Sequence, residues 1–234
     1  MIRIAVVGAG HWGPNLIRNF HDGAHSKVVR IIDSRAERLE QLKARFPDIP
    51  LSSDANAVWS DANVDGVVIA TPTNTHFALT QKALEAGKHV LVEKPLADKT
   101  EDAEALTALA TKTGKVLMVG HVFLFNPAVR RVKQMLSAGD LGRVYYISMV
   151  RTNLGPIRLD VNAAWDLAAH DISIADEWLG GQAVSASAVG GAYINPGVQD
   201  AVFATLRYPG DVLVNLHASW LNPRKNRDVT VVGD

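Results

Sequence analysis

The sequence predicts an α/β chain in two parts: a doubly wound parallel sheet, then an α+β domain on a mainly antiparallel open sheet. Three observations predict it. Through the first half, short apolar runs with no polar alternate are separated by helical patterns, as in strands covered on both faces. A glycine-rich segment, Gly8–Gly13, follows the first run directly. In the second half the period becomes two, with Val212, Val214, Leu216, Ala218 and Trp220 alternating with Leu213, Asn215, His217 and Ser219. That alternation marks a strand with one buried and one more polar face.

Taken in order, the first-half strands are Ile2–Val7, Val28–Ile32, Val67–Ala70, Val90–Val92 and Val116–Val119. Between them, Arg35–Phe46 places Leu39 and Leu42 at helical spacing, and Leu79–Ala86 stops at Gly87. A further helix has Thr100 as its N-cap, Glu101 and Asp102 in its first turn, Lys112 in its last and Gly114 just beyond. Further on, Arg143–Arg151, Val184–Val189 and Ala201–Tyr208 read as strands, the last joined to 212–220 by a hairpin turn at Pro209-Gly210-Asp211. Helices are expected over Pro127–Ser137 and Trp165–Leu179. The domains are therefore 1–121, the doubly wound unit, and 122–234, the α+β unit.

Composition narrows the function. Among 234 residues, 24 Lys+Arg balance 24 Asp+Glu, so the cationic surplus of a nucleic-acid binder is missing. Apolar residues are 47% of the chain, enough for a real core. With no cysteine, disulfides, thiolate zinc sites and thiol nucleophiles are excluded. No apolar run approaches the ~20 residues of a bilayer span. The start, Met1-Ile2-Arg3-Ile4, enters a strand without a signal-peptide layout, and the reading is cytoplasmic. His21, His25, His89, His121 and His217 lack metal-ligand spacing, and no metal is expected.

Gly8-Ala9-Gly10-His11-Trp12-Gly13 carries the dinucleotide fingerprint between a strand and a helix. Gly8 permits the tight turn, Gly10 lets a pyrophosphate approach the backbone, and Gly13 lets helix and strand pack closely. The helix N-terminus then faces the anion. Asp33 closes the second strand, where a carboxylate accepts from the adenosine ribose hydroxyls and repels a 2′-phosphate. NAD is thereby preferred; Arg35, after Ser34, keeps NADP open. His11 and Trp12 are contact candidates without chemistry.

The fourth strand ends in Ala70-Thr71-Pro72-Thr73-Asn74-Thr75-His76 and the fifth in Val92-Glu93-Lys94-Pro95. Strand carboxyl ends are where open α/β sheets bind ligands. The GAGHWG turn, Thr71-Pro72 with His76, and Glu93-Lys94-Pro95 together resemble the glucose–fructose oxidoreductase / inositol dehydrogenase / rhizopine catabolism family. These are NAD(P)-dependent sugar and cyclitol oxidoreductases, and the resemblance covers essentially the whole chain. It implies that Thr71, Pro72, Asn74, His76, Glu93 and Lys94 line the cofactor. Asn74 or Thr73 could instead simply cap a helix.

The resemblance further implies a catalytic Asp and His four residues apart, which Asp166 and His170 match; on one helix they would share a face. Asp171 then faces elsewhere. Asn162-Ala163-Ala164-Trp165 stands where many members have a glycine run, so the substrate side is expected to differ from that of the inositol and glucose enzymes. The GxGxWGxN start and the WDL-x-x-HD segment look most like nucleotide-sugar members, some of which oxidise UDP-N-acetylglucosaminuronate at C3.

The chemistry implied is hydride transfer with loss of a hydroxyl proton. His170, with a reference pKa of about 6.5, suits the proton and Lys94 the developing alkoxide. Either could be the formal base, and Asp166 could bind a hydroxyl or hold the imidazole tautomer. Arg151, Asn153, Arg158 and Asn162 fall where a substrate loop belongs, with Arg158 a candidate for a uronate or phosphate; a plain exposed loop is the other reading. Arg224, Lys225 and Arg227 read as a solvated turn, with diphosphate binding as the alternative. An NADPH-dependent keto-sugar reductase and a non-catalytic NAD-binding regulator remain the alternative functions.

The resemblance also implies a homodimer or homotetramer through the open face of the second sheet. Family members continue beyond the point equivalent to Val229–Asp234. The chain is therefore either a piece of a longer protein or one whose exposed edge partner subunits cover.

Overall fold

A computed structural model describes residues 1–234. It divides into two compact units, Met1–Gly120 and His121–Asp234. No helix is long and apolar enough to cross a membrane.

The first unit runs β1 (Ile2–Val7), α1 (Gly13–Asp22), β2 (Ser26–Ile32), α2 (Ala36–Arg45), β3 (Leu51–Ser52), α3 (Asn56–Trp59), β4 (Gly66–Ile69), α4 (His76–Glu85), β5 (His89–Val92), α5 (Thr100–Thr113) and β6 (Leu117–Val119). All pairings are parallel, in the order β3-β2-β1-β4-β5-β6. Successive side chains of a strand point to opposite faces, and β1 shows the consequence. Ala5 and Val7 pack with Ala83 and Leu84 of α4 and Leu106 and Ala110 of α5. Ile4 and Val6 pack with Ile17 of α1 and Leu42 of α2. Both faces are covered, so from Ile4 onward the strand has no polar residue. The short β3 and α3 escaped the sequence reading because neither is long enough to repeat its pattern. Thr100 is the first helical residue of α5 and makes no capping bond; Lys99 occupies the cap position. Gly114 ends that helix in the left-handed conformation, φ +65°.

The second unit contains α6 (Pro127–Ala138), β7 (Val144–Leu154), a π turn (Ala164–Ala168) continuing into α7 (Ala169–Leu179), β8 (Ser185–Gly191), β9 (Ala201–Tyr208), β10 (Val212–Ser219) and β11 (Leu221–Gly233). The sheet order is β11-β7-β10-β9-β8. Every pairing is antiparallel except β7 with β10. Val212, Val214, Leu216 and Ala218 join Ile147, Met149, Leu206 and Tyr208 in a core closed by Ile174, Ala175 and Trp178 of α7. The opposite face is open, leaving Phe203 50% and Val189 71% exposed. The Arg224–Arg227 stretch is not a turn: it lies in β11, at a register break against β7 between Leu221 and Asn226.

Candidate functional site

In the first unit the turn after β1 is built by exclusion. At Gly8, with φ +101°, a Cβ would sit 2.5 Å from the Ala70 carbonyl oxygen, and at Gly13 it would collide with the carbonyl of Gly8. At Gly10 its nearest neighbour would be the Arg35 guanidinium at 3.6 Å, an ordinary contact. Gly8 and Gly13 thus bring β1, α1 and β4 close, while Gly10 leaves its backbone approachable. Helix α1 starts with no side-chain cap and no acidic residue in its first turn, which suits an anion at that end. The turn fits a dinucleotide diphosphate.

Asp33, directly after β2, is 5% exposed. Its carboxylate accepts from the Ala9 N–H at 2.7 Å, the Arg35 N–H at 3.0 Å, and Arg35 Nε and Nη2 at 3.1 and 3.2 Å. Burial alone would raise its pKa; the Arg35 side chain and the two backbone N–H groups outweigh that and hold it below the ordinary value. An ionised carboxylate therefore stands directly after β2, tying the glycine turn to that strand. Ser34 and Arg35 are exposed beside it, as are His11 and Trp12 on the turn.

Glu93 and Lys94 follow β5. The Glu93 carboxylate accepts from the Lys94 N–H at 3.3 Å and from the Trp12 side chain. Burial pushes its pKa up, against those contacts and the Lys94 charge. It lies where a Cβ on Gly120 would come within 3.0–3.1 Å, so Gly120, unremarked in the sequence, keeps its space clear. After β4, the Thr75 hydroxyl lies 2.7 Å from both the Thr71 hydroxyl and the Pro72 carbonyl oxygen; Pro72 and Asn74 are exposed. His76 departs from expectation. It is 1% exposed, with Nδ1 2.8 Å from the Pro95 carbonyl oxygen and Nε2 2.9 Å from that of Thr71. Its ring is turned into the protein rather than offered to a cofactor.

In the second unit, Asp166 and His170 do not belong to one uniform α-helix. Asp166 lies in the π turn and His170 in α7, so the i,i+4 argument for a shared face does not carry over unchanged. Asp166 is held on both oxygens: Oδ1 accepts from Arg158 Nη1 and Oδ2 from Trp220 Nε1, each at 3.0 Å. Arg158 also grips Asp160 through Nε and Nη2, at 2.9 and 2.5 Å. The expected uronate partner is thus already committed to two carboxylates.

The Asn162 side chain is engaged by the protein itself, donating to Gln199 Oε1, between β8 and β9, at 3.3 Å and accepting from the Trp165 N–H at 3.1 Å. Asn153 is half-buried near the end of β7. Arg151 is not a loop residue. It lies in β7, 5% exposed, paired at 2.6 Å with Asp171, itself 2% exposed. That pairing is where Asp171 faces. The His170 ring meets Phe123 edge-on at 4.8 Å, and Arg151 lies 4.4 Å over the same phenyl ring. Phe123, Trp220 and Gln199 were not singled out from the sequence. Trp220 was visible only as the last residue of an alternating strand.

A doubly wound sheet with this glycine turn and an ionised carboxylate after β2, followed by an α+β unit on an open sheet, defines a two-domain nicotinamide-dependent oxidoreductase fold. Residues 2–121 match the model of an oxidoreductase family with an NAD-binding Rossmann fold, GFO/IDH/MocA, and residues 129–234 match the GFO/IDH/MocA C-terminal domain. The chain belongs to the GFO/IDH/MocA oxidoreductase family. It is 33% identical over 224 residues to UDP-N-acetylglucosamine 3-dehydrogenase of Acidithiobacillus ferrooxidans, covering 93% of this chain and 67% of that protein. It is 32% identical over 201 residues to scyllo-inositol 2-dehydrogenase (NAD(+)) of Bacillus subtilis, covering 83% and 59%. The crystal structure of GenD2 from gentamicin A biosynthesis, in complex with NAD, superposes with a TM-score of 0.93 at 25% identity, over 99% of this chain and 70% of that one. The chain thus spans about two thirds or less of the curated relatives' length.

Proposed function

We propose that this chain carries the cofactor-binding and catalytic residues of an NAD-dependent dehydrogenase. Its substrate is a secondary alcohol of a sugar, cyclitol or nucleotide sugar. The observation that carries this reading is Lys94, two residues past the end of β5 at the carboxyl end of the parallel sheet, where such sheets bind their ligands.

NAD, when bound, supplies the hydride acceptor. Gly10 and the start of α1 receive the diphosphate, and Asp33 accepts from the ribose while repelling a 2′-phosphate. Thr71, Pro72, Asn74 and Glu93 line the strand ends. Lys94 presents an ammonium to the oxygen that gains negative charge. His170 takes the hydroxyl proton. Asp166, fixed by Arg158 and Trp220, orients a neighbouring hydroxyl. Because Arg158 is paired with Asp160 and Asp166, a nucleotide sugar recognised through hydroxyls fits this chain better than one recognised through a carboxylate on Arg158. The relatives acting on UDP-N-acetylglucosamine and scyllo-inositol support that preference.

The test is Lys94→Ala and His170→Ala, assayed against a panel of UDP- and TDP-sugars and inositols with NAD. Turnover should fall by about 10²-fold or more in each, with NAD affinity retained; unchanged turnover in both refutes the assignment. A second copy of the chain is the proposed partner, docked on the open sheet face carrying Phe203 and Val189.

A further inference from the structure

His76 is a titratable side chain at the heart of the first unit that the proposed chemistry does not use. It is the first residue of α4 and is 1% exposed, so neither substrate nor cofactor reaches it. Its two ring nitrogens face two carbonyl oxygens, Nδ1 toward Pro95 at 2.8 Å and Nε2 toward Thr71 at 2.9 Å. A carbonyl oxygen only accepts, and a neutral imidazole has one N–H. Both contacts are hydrogen bonds only when both nitrogens carry protons.

The two acceptors belong to different strands. Thr71 lies two residues past the end of β4 and Pro95 three past the end of β5. These strands are neighbours, with Ile69 opposite Val92. The ring therefore spans the gap between the two loops that leave the carboxyl end of the sheet. Pro95 directly follows Lys94, and the Lys94 N–H donates to Glu93. The backbone of Lys94 is thus fixed on its N-terminal side by Glu93 and on its C-terminal side by the grip on Pro95.

We propose that His76 is carried as an imidazolium and acts as a buried clip between the two strand-end loops, positioning Lys94. It is a positioning residue, acting through the Pro95 carbonyl on one loop and the Thr71 carbonyl on the other. Charge-assisted bonds are roughly twice as strong as neutral ones, which offsets part of the cost of a buried cation at a helix start. The consequence for Lys94 rests on the reading of that residue given above.

The two bonds can be removed separately. An asparagine amide nitrogen falls near the place of Nδ1, and that of glutamine near Nε2. H76N keeps the donor to Pro95 and gives up Thr71; H76Q does the reverse. The expected result is a split. H76Q keeps NAD affinity within about threefold, shifts the Lys94 backbone amide resonance and lowers kcat about tenfold or more. H76N leaves the Lys94 resonance in place and kcat within about threefold, and weakens NAD about tenfold. Affinity is read by tryptophan fluorescence, kcat with UDP-N-acetylglucosamine and NAD, and ring protonation by two-bond nitrogen–proton correlation in the unmodified protein.

Two protonated ring nitrogens, with that split, support the proposal. A neutral tautomer overturns it. So do variants that change affinity and the Lys94 resonance alike, in proportion to lost stability, as a histidine that merely fills the core would. If the unmodified protein does not turn over UDP-N-acetylglucosamine, the substrate assignment suffers, and the ring protonation, the NAD affinities and the Lys94 resonance still decide this question.

Discussion

Replacing Arg151 by methionine should expose how the second unit is held together. Arg151 donates to a single oxygen of Asp171 through Nε at 2.9 Å and Nη2 at 2.6 Å, and both side chains are almost fully buried. Methionine fills much of the space above Phe123 and leaves Asp171 without its cation. Removing one partner of a buried pair costs about 3–5 kcal/mol. A second route gives the same size. Burial already raises the Asp171 pKa against the pull of Arg151 and of the Arg227 charge, and without Arg151 it rises further. Holding it neutral at pH 7, against an unfolded value of 3.8, costs at most roughly 4 kcal/mol, at 1.36 kcal/mol per pH unit.

The sign follows. In the variant the folded state binds the proton more tightly than the unfolded one, so stability rises as pH falls from 7 toward about 4 and is lost as pH climbs back. Arg151→Met/Asp171→Leu should recover most of the loss and abolish that pH dependence. The assay is urea unfolding at pH 5 and pH 7, followed by Trp165, Trp178 and Trp220 with Trp12 and Trp59 replaced by phenylalanine. A cost below about 1 kcal/mol for Arg151→Met, equal at the two pH values, would refute the argument.

Gly13→Ala should weaken NAD binding about tenfold or more, because the added Cβ meets backbone, the Gly8 carbonyl, which cannot swing aside as a side chain would; unchanged affinity in a titration would count against the packing account. Asp33→Asn should narrow the preference for NAD over NADP in parallel binding titrations. Because the folded Asp33 pKa is depressed, its contribution to stability is present above the ordinary carboxylate range and lost as pH falls through it. The variant's acid-unfolding curve should therefore be shallower there, and a superimposable curve would remove the assigned role.

Most of the fold was legible because its signals are local. An uninterrupted apolar run such as Val67–Ala70 says that both faces are covered, and the alternation in 212–220 says that one is not; β4 and β10 follow. The glycine turn was readable for the same reason, Gly8 and Gly13 each answering a steric demand of neighbouring backbone. The partners of polar side chains were not. Arg158 looked available for a substrate anion because nothing in the local pattern announces that Asp160 and Asp166 surround it. Arg151 looked like the last strand residue, facing a substrate loop, because β7 runs on three residues further, to Leu154, and nothing local announces the pairing with Asp171. His76 was placed on the right loop, but the direction of its ring depends on Pro95, nineteen residues away. Trp220 closes its own strand and also reaches Asp166, a pairing that only the folded sheet creates.

The one parallel pairing in the second sheet bears on how that unit assembles. Tyr146 of β7 lies opposite Leu213 of β10, close to 70 residues along the chain, and such closure is entropically expensive and slow. Arg158, Asp166 and His170 all lie inside that long connection, as does the hairpin of β8 and β9 onto which β10 adds. The closures inside it are shorter: the hairpin and α7 each need only local contacts, whereas β7 must be reached across the whole connection. The segment bearing the chemistry is then laid down as the strap that brings the first strand of the sheet home. Trp220, which ties that strap to the end of β10 through Asp166, stands where the long closure is sealed.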